Sequence, residues 1–462
     1  MKKNLFIIPI LLAALVACGS DSVDEPAPDP EVEVTAIAFS PAGDISLRST
    51  TSQTPDSRFS QMQLSVEAEM SDGSRQAVDP SLVKFSSSNS SVAEVDGSGL
   101  VTAVARGKVA VRAEYEGFTA SASVEVTPMG EITTGVEQFT ARNIYSKFVY
   151  LIRNTVIQGF DIASDGTIYY MQLGGSDKHD LYVMRARPNA SPADHMIFRY
   201  SGHGTNMAIE EAADGKTYVW TGTYASRNSS NDYWSNSVVT RTEYQPGKTL
   251  TPEQCGDLFY LGGICELHPA IDVENDVLAI NYPGSTLRMF VMYRLSEALA
   301  LPRSYVTLPS RSYGGGTSTD PAATNSPKVY VRDLTKLTPL GRFGIPKSGA
   351  DHTVDISSYA WQGFDVDSGK IYYFEGEGTA SDGSGAYFTV FDFDGNIVEQ
   401  RAEVVAASDR TSLSELGITE SGYMEAEGIK VHGDNLYLGF ASRCKADGDK
   451  RRANIFIYTP AK

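Results

Sequence analysis

Two hydrophobic rhythms divide the chain. Between residues 33 and 128, short segments alternate polar and apolar positions: Gln63-Leu64-Ser65-Val66-Glu67-Ala68 is one, and Val109-Ala110-Val111-Arg112-Ala113 and Ala122-Ser123-Val124-Glu125-Val126 are others. A period of two places successive side chains on opposite faces, so each segment reads as a strand with one face on a core and one in water. Ser71-Asp72-Gly73, Asp96-Gly97-Ser98-Gly99 and Arg106-Gly107-Lys108 supply the turns between them. Several short strands at this spacing predict a β-sandwich over residues 33–128.

From residue 135 to 462 strand pairs recur instead. Gln158-Gly159-Phe160-Asp161-Ile162, a turn and Ile168-Tyr169-Tyr170 return almost unchanged as Gln362-Gly363-Phe364-Asp365-Val366, a turn and Ile371-Tyr372-Tyr373. Weaker copies begin at Met207, Ala270 and Gly428. Anchored on Phe160, Ile209, Ile271, Phe364 and Ile429, the steps are 49, 62, 93 and 65 residues. A strand pair repeated at such a period is the signature of a β-propeller. Five copies predict five blades, each copy forming the innermost strand and its neighbour. Runs such as Thr389-Val390-Phe391-Asp392-Phe393 then supply outer strands, and Asn454-Ile455-Phe456-Ile457-Tyr458 closes the ring beside the first blade. The fold class is all-β, a sandwich followed by a five-bladed propeller.

Two stretches carry family resemblances. Phe85-Ser86-Ser87-Ser88-Asn89-Ser90-Ser91-Val92-Ala93-Glu94-Val95-Asp96, followed by Gly99-Leu100-Val101-Thr102-Ala103, resembles the bacterial Ig-like group 2 domain, with Phe85 where that family usually has Trp. This implies an Ig-like stalk or binding module. Ser201-Gly202-His203-Gly204-Thr205-Asn206, with Thr217-Tyr218-Val219-Trp220, resembles the propeller shared by teichoic-acid biosynthesis protein C and certain phage receptor-binding proteins. The insertion from Arg311 to Pro327 departs from that pattern. The phage members imply recognition of a cell-wall glycan.

The first 17 residues add a topology. Lys2 and Lys3 precede an apolar run that ends in Leu15-Val16-Ala17-Cys18, the order of a lipoprotein signal peptide, with Cys18 the lipidated residue. Several acyl chains on one cysteine give stable anchoring. Residues 18–32 form an acidic, proline-rich tether, and its acidic start resembles the export signal of surface lipoproteins. The expected location is the outer membrane, lipid-anchored and exposed at the cell surface.

Charge then narrows the partners. The formal net charge of −18 excludes nucleic acid as a natural ligand, because binding there depends on neutralising phosphates. It suits a ligand that is neutral, cationic or bridged by a metal ion. No cofactor is called for; a role for Ca²⁺ stays open. Cys255 and Cys265 flank a possible hairpin and are expected to pair in an oxidising compartment, leaving Cys444 free.

Candidate chemistry sits at equivalent blade positions. Two residues before each anchor stand Gln158, Met207, Pro269, Gln362 and Glu427; one residue after stand Asp161, Glu210, Asp272, Asp365 and Lys430. Innermost strands line a propeller's axis, so these side chains are expected to converge at one mouth, with His203 and His268 on its loops. Tyr224, Tyr233 and Trp234 lie in a polar loop whose aromatic rings suit stacking on sugar. The candidate ligand-binding residues are Gln158, Asp161, His203, Asn206, Glu210, Trp234, His268, Gln362, Asp365 and Glu427. A carboxylate pair at the axis would suit glycan cleavage by a hydrolase or lyase. Repetition of the carboxylate in nearly every blade favours the alternative, that it solvates a channel or hydrogen-bonds the next blade's backbone. The reading is a glycan-binding or surface-polymer-binding propeller, with glycan cleavage and protein binding as the alternatives.

Overall fold

The computed structural model describes residues 32–49, 60–128, 143–174, 177–227, 235–313, 324–347, 359–378, 384–404, 424–444 and 450–459, with a few positions between 405 and 423. Cys18, the leader, the tether up to residue 31, Tyr233 and Trp234 lie outside this set. No helix among the described residues is long and apolar enough to cross a membrane.

The first domain has three small sheets. Val34–Ser40, Ser65–Met70 and Arg75–Ala77 form one; Ile45–Ser49, Phe118–Pro128, Gly107–Tyr115 and Lys84–Ser87 form the second; Gln61–Gln63, Leu100–Ala103 and Ala93–Val95 form the third. The alternating positions meet as expected: Leu64, Val66, Val109, Val111, Ala113, Val124 and Val126 are all in one core, and Ala68 is buried. Phe85 is half-buried and packs against that core. A Cβ on Gly99 would stand 2.9 Å from the Phe85 ring and 2.4 Å from a backbone oxygen, so glycine is required beneath that ring.

Five sheets follow, in a ring. Blade 1 runs outward through Ile157–Ile162, Ile168–Gly174, Asp177–Ala186 and Asp194–Arg199, with Thr249–Leu250 added at its edge. Blade 2 comprises Ala208–Glu211, Thr217–Ser226, Ser235–Glu243 and Asp257–Tyr260. Blade 3 is His268–Asp272, Val277–Pro283, Leu287–Arg294 and Gly341–Pro346, and blade 4 is Trp361–Asp367, Lys370–Gly378, Ser384–Asp392 and Ile397–Glu403. Blade 5 contains Glu425–His432, Asn435–Cys444 and Lys450–Thr459, and its outermost strand is Asn143–Tyr150 from the other end of the domain. The ring therefore closes within blade 5. Residues 454–458 lie between two strands of that blade, and Ile455 shares a core with Phe160, Ile168 and Tyr170, so the closing strand also packs against blade 1.

Burial explains why the second strand of each blade reads as a continuous apolar run. Ile168, Tyr169, Tyr170 and Met171 are all buried, as are Val277, Leu278, Ala279 and Ile280, because neighbouring blades cover both faces of each sheet. The long step of 93 residues also has a cause. After its third strand and the short helix Leu295–Ala300, the chain leaves blade 3 and lends Arg303–Thr307 and Lys328–Asp333 to the edge of blade 2. It then returns with Gly341–Pro346 to finish blade 3.

The Ig-like domain lies along that last strand. Arg342 forms an ion pair with Glu125 at 2.8 Å, and Arg106 one with Asp394 at 3.0 Å. Ser46 is buried against the turn at Gly284, where its backbone N–H donates to Ser285 Oγ and its carbonyl accepts from Thr286.

The expected disulfide is absent: Cys255 and Cys265 are both free thiols. Cys255 Sγ lies 3.5 Å from the Thr251 carbonyl and Cys265 Sγ 3.5 Å from the Gly263 carbonyl, so each thiol is held in its own turn. Burial pushes the Cys255 thiol up to about 11, which keeps it protonated.

Candidate functional site

The axis is set by contacts between innermost strands. Ile162, Ile209, Ile271, Val366 and Val431 line one cavity at the turn end of the ring, which makes them equivalent. The sequence anchors therefore miss the register by two residues in blades 2 and 3. The true equivalents of Asp161 are Ala208, Ala270, Asp365 and Lys430. Glu210 and Asp272 do not share their position.

Two residues earlier on each strand, Gly159, Asn206, His268, Gly363 and Gly428 share a level. Gly363 and Gly428 have φ of 130° and 134°, a region that favours glycine. A Cβ on Gly363 would stand 3.2 Å from Asn206 Oδ1. The missing side chains make room for Asn206, whose Nδ2 donates to the Pro269 carbonyl at 2.7 Å and whose Oδ1 accepts from Phe364 N at 3.2 Å. This bridge joins blades 2, 3 and 4 across the axis, so the two ends of the ring are separate sites.

The turn end holds the repeated carboxylates in a cavity of about 350 Å³. Asp161 accepts from Ile209 N at 2.7 Å, Asp365 from Val431 N at 2.8 Å and Asp272 from Ser368 N at 2.8 Å. Each ties its blade to the backbone of the next. Lys430 Nζ lies 2.9 Å from Asp365, with both side chains at most 5% exposed. His432 Nε2 lies 2.7 Å from Asp161. Burial works against the Asp161 charge, but Lys430 and His432 hold its pKa below the ordinary value. Burial also opposes the charge on His432, and the Asp161 carboxylate outweighs it, so the imidazole pKa is raised.

This sets an expected pH dependence. A raised histidine contributes stability that is complete below about pH 6.5 and is lost as pH rises through its folded pKa. Denaturant unfolding from about pH 6 to about pH 9 should show the free energy falling, and His432→Gln should flatten the fall. A profile unchanged by His432→Gln would remove the histidine from this role.

At the entry end a second cluster gathers around His268. Its ring centroid is 4.5 Å from that of Trp361, and the Arg288 guanidinium sits 4.0 Å over the Trp361 ring. Arg288 donates to Asn281 Oδ1 at 2.9 Å and faces Glu266 at 3.8 Å. Lys347 Nζ donates to the Ser285 carbonyl. Burial, with Arg288 and His203 nearby, holds His268 well below the ordinary histidine value, so it is neutral. Burial raises Glu266 and lowers Arg288 and Lys347. Glu427 is likewise raised well above its ordinary value, by burial and then by Glu425.

Several polar atoms here have no hydrogen-bond partner among the described residues: His268 Nε2, Arg288 Nε, Trp361 Nε1 and, beside the axis, Thr205 Oγ1. Glu266 also has a φ of 59°, unusual for a residue with a side chain. Gly202 and Gly204 flank His203 with φ of 84° and 81°, and a Cβ on Gly204 would stand 2.5 Å from Leu181.

The sequence candidates thus separate. His203, His268, Gln158, Gln362 and Glu427 belong to the entry end. Asp161 and Asp365 tie blades together at the opposite end, and Asn206 closes the axis between them. Glu210 leaves the axis altogether: it accepts from Trp220 Nε1 at 2.8 Å and from both Arg241 Nε and an Arg241 terminal nitrogen, inside blade 2. Trp234 lies outside the described residues. Sequence reading missed Arg288, Trp361, Glu266 and Lys347. Arg288 had a signal, a lone charge within Leu287-Arg288-Met289-Phe290, and so did Trp361, directly before the repeated Gln-Gly-Phe. Among the described residues no group of three or more His, Cys, Asp or Glu could hold a metal ion.

Comparison with known proteins agrees with this architecture. Residues 50–126 match the model of the bacterial Ig-like domain (group 2), and residues 156–254 match that of the phage 5-bladed beta propeller receptor binding platform domain. A curated relative, the putative major teichoic acid biosynthesis protein C of Bacillus subtilis (strain 168), is 28% identical over 311 residues. The match covers 64% of this chain and 58% of that relative's length. Among solved structures, a tail fiber of a Staphylococcus aureus phage superposes with a TM-score of 0.45 at 14% identity, covering 71% of this chain and 55% of the fiber. The alpha-L-arabinofuranosidase from Lactobacillus brevis does so with a TM-score of 0.31 at 8% identity, covering 66% and 91%. The strand order of the five sheets, not these superpositions, establishes the ring.

Proposed function

We propose that this protein is a cell-surface lipoprotein whose propeller binds a glycan or other surface polymer at the entry end of the ring. The observation that carries the reading is the set of buried polar atoms without partners among the described residues, His268 Nε2, Arg288 Nε and Trp361 Nε1, gathered around one aromatic ring. Leaving such an atom unpaired costs about 1–3 kcal/mol, and hydroxyl or acidic oxygens of a glycan would recover it. Trp361 adds an aromatic surface for a sugar face. The match to a receptor-binding platform supports the same reading. Lipid attachment at Cys18 and the acidic tether, both inferred from the sequence, would present the propeller outside the cell.

Trp361→Phe tests it sharply. The indole N–H has no partner among the described residues, so stability should barely change. Affinity for a glycan selected on an array should fall by about 0.5–1.5 kcal/mol, roughly twofold to twelvefold. Arg288→Gln should weaken binding more, because a charged donor is lost. Unchanged affinity in both variants, measured by calorimetry, would move the site elsewhere.

Glycan cleavage is the second reading, favoured by Glu427, a buried carboxyl at the same end whose pKa burial raises toward that of a general acid. It predicts that the selected glycan shortens on incubation with the wild type and stays intact with Glu427→Gln. An intact chain in both leaves binding alone.

A further inference from the structure

The insertion that departs from the propeller family builds a pocket of its own. Arg311 pairs with Asn325, Tyr313 bridges to Ser226, and Arg227 N donates to the Ser312 carbonyl, which folds the base of the insertion onto blade 2. Tyr313 is further fixed by a 2.8 Å hydrogen bond between its hydroxyl and Ser237 Oγ. Between this base, the end of Thr217–Ser226 and the turn Pro252–Gln254 lies a cavity of about 220 Å³, room for one sugar ring or a small head group. Tyr200, Tyr224 and Tyr313 line it, with Pro252, Glu253 and Asn325.

Two features single it out. Tyr200 and Tyr224 have φ of 53° and 52°, a left-handed backbone that bulky side chains rarely adopt. The Ala225 N–H donates to the Tyr200 carbonyl, so the two strained tyrosines hold each other in place. Strain of this kind persists where the surroundings over-determine it, and it concentrates at ligand sites. The second feature is charge. Glu253 is exposed and, among the described residues, is the one charged side chain lining the cavity. Near Tyr200, Arg199 and Asp180 face each other at 3.7 Å. Burial pushes Tyr224 up to about 12, so the wall is neutral phenol and the negative charge is that of Glu253.

We propose that this pocket is a second binding site, taking an ammonium group carried on a sugar or a short alkyl chain. Aromatic walls attract a cation through their ring faces, and a carboxylate at the rim supplies the counter-charge. The site stands on the same face as the entry-end cluster, since Tyr200 directly precedes the Ser201-Gly202-His203 turn. It does not depend on the glycan reading of that cluster.

Choline and glucosamine are the charged probes; 3,3-dimethylbutan-1-ol and glucose are their neutral counterparts. Titrated against the whole protein by calorimetry and tyrosine fluorescence, at least one charged probe should bind about five- to thirtyfold more tightly than its counterpart. Choline alone binding would assign a quaternary head group, and glucosamine alone an amino sugar. Glu253→Gln, an exposed and shape-preserving change, should erase most of that preference, and Tyr200→Leu should weaken binding of the charged probe. Trp361→Phe should leave both unchanged, which separates this site from the entry end. Equal binding of charged and neutral probes, no binding of either charged probe, or a preference that survives Glu253→Gln overturns the proposal.

Discussion

Truncation before Lys450 is expected to abolish cooperative folding of the propeller. The strand Lys450–Thr459 pairs on one side with Asn435–Cys444 and on the other with Asn143–Tyr150. Removing it exposes the edge of one neighbour and leaves the other without its sheet, so both become free for unwanted pairing. It also withdraws Ala453, Ile455, Phe456 and Tyr458 from the core, all at most 6% exposed. Full burial of each large apolar side chain contributes about 1.5–3 kcal/mol, so their sum approaches the stability of a typical domain. Denaturant unfolding followed by circular dichroism, with limited proteolysis, reads the outcome. A truncated chain that unfolds as cooperatively as the intact one, at the same midpoint, would refute closure of the ring within blade 5.

Lys430→Met should be the most damaging single substitution at the axis. Lys430 Nζ and Asp365 are paired at 2.9 Å with almost no solvent contact. Removing one member of a buried ion pair leaves an uncompensated charge and costs about 3–5 kcal/mol. Asp161 makes the loss worse, because its charge already raises Asp365, whose pKa burial pushes up to about 6 even with Lys430 present. Pairing the change with Asp365→Asn should restore much of the stability, since the amide oxygen can still accept from Val431 N. Lowering the pH toward 6 should partly rescue the single variant, as Asp365 takes up a proton. The midpoint shift at constant slope gives the free energy directly. A shift worth under about 1 kcal/mol would show that the pair is not a structural tie.

The same residues mark the boundary of what a repeat reveals. Asp161 and Asp365 sit in near-identical segments, and their equivalence was legible because the flanking Gln-Gly-Phe is the same in both. Blades 2 and 3 lack that triplet. Their anchors followed the turn spacing and drifted by two residues, which promoted Glu210 and Asp272 to positions that Ala208 and Ala270 occupy. A strand's period of two gives the same inside–outside pattern after a shift of two, so alternation cannot detect the error. The pairing expected for Cys255 and Cys265 failed for a related reason: spacing along the chain does not orient Cβ vectors.

The sequence by itself determined the two architectures and their order, because alternation and repetition are local properties that any reader of the chain can count. Five near-copies demand five equivalent environments, and a ring of sheets provides them. Only the tertiary structure decided where function gathers. Closure brings residue 143 beside residue 459, seats the stalk on blade 3, and lets Asn206 bridge three blades across the axis. Arg288 lies on a third strand, Trp361 begins a first, and His268 stands where blades 1, 4 and 5 carry glycine. They meet because the blades converge on one axis, so the distances that matter run between strands far apart in the chain. Tyr200, Tyr224 and Tyr313 are brought together in the same way, by an insertion that leaves blade 3 to fold against blade 2.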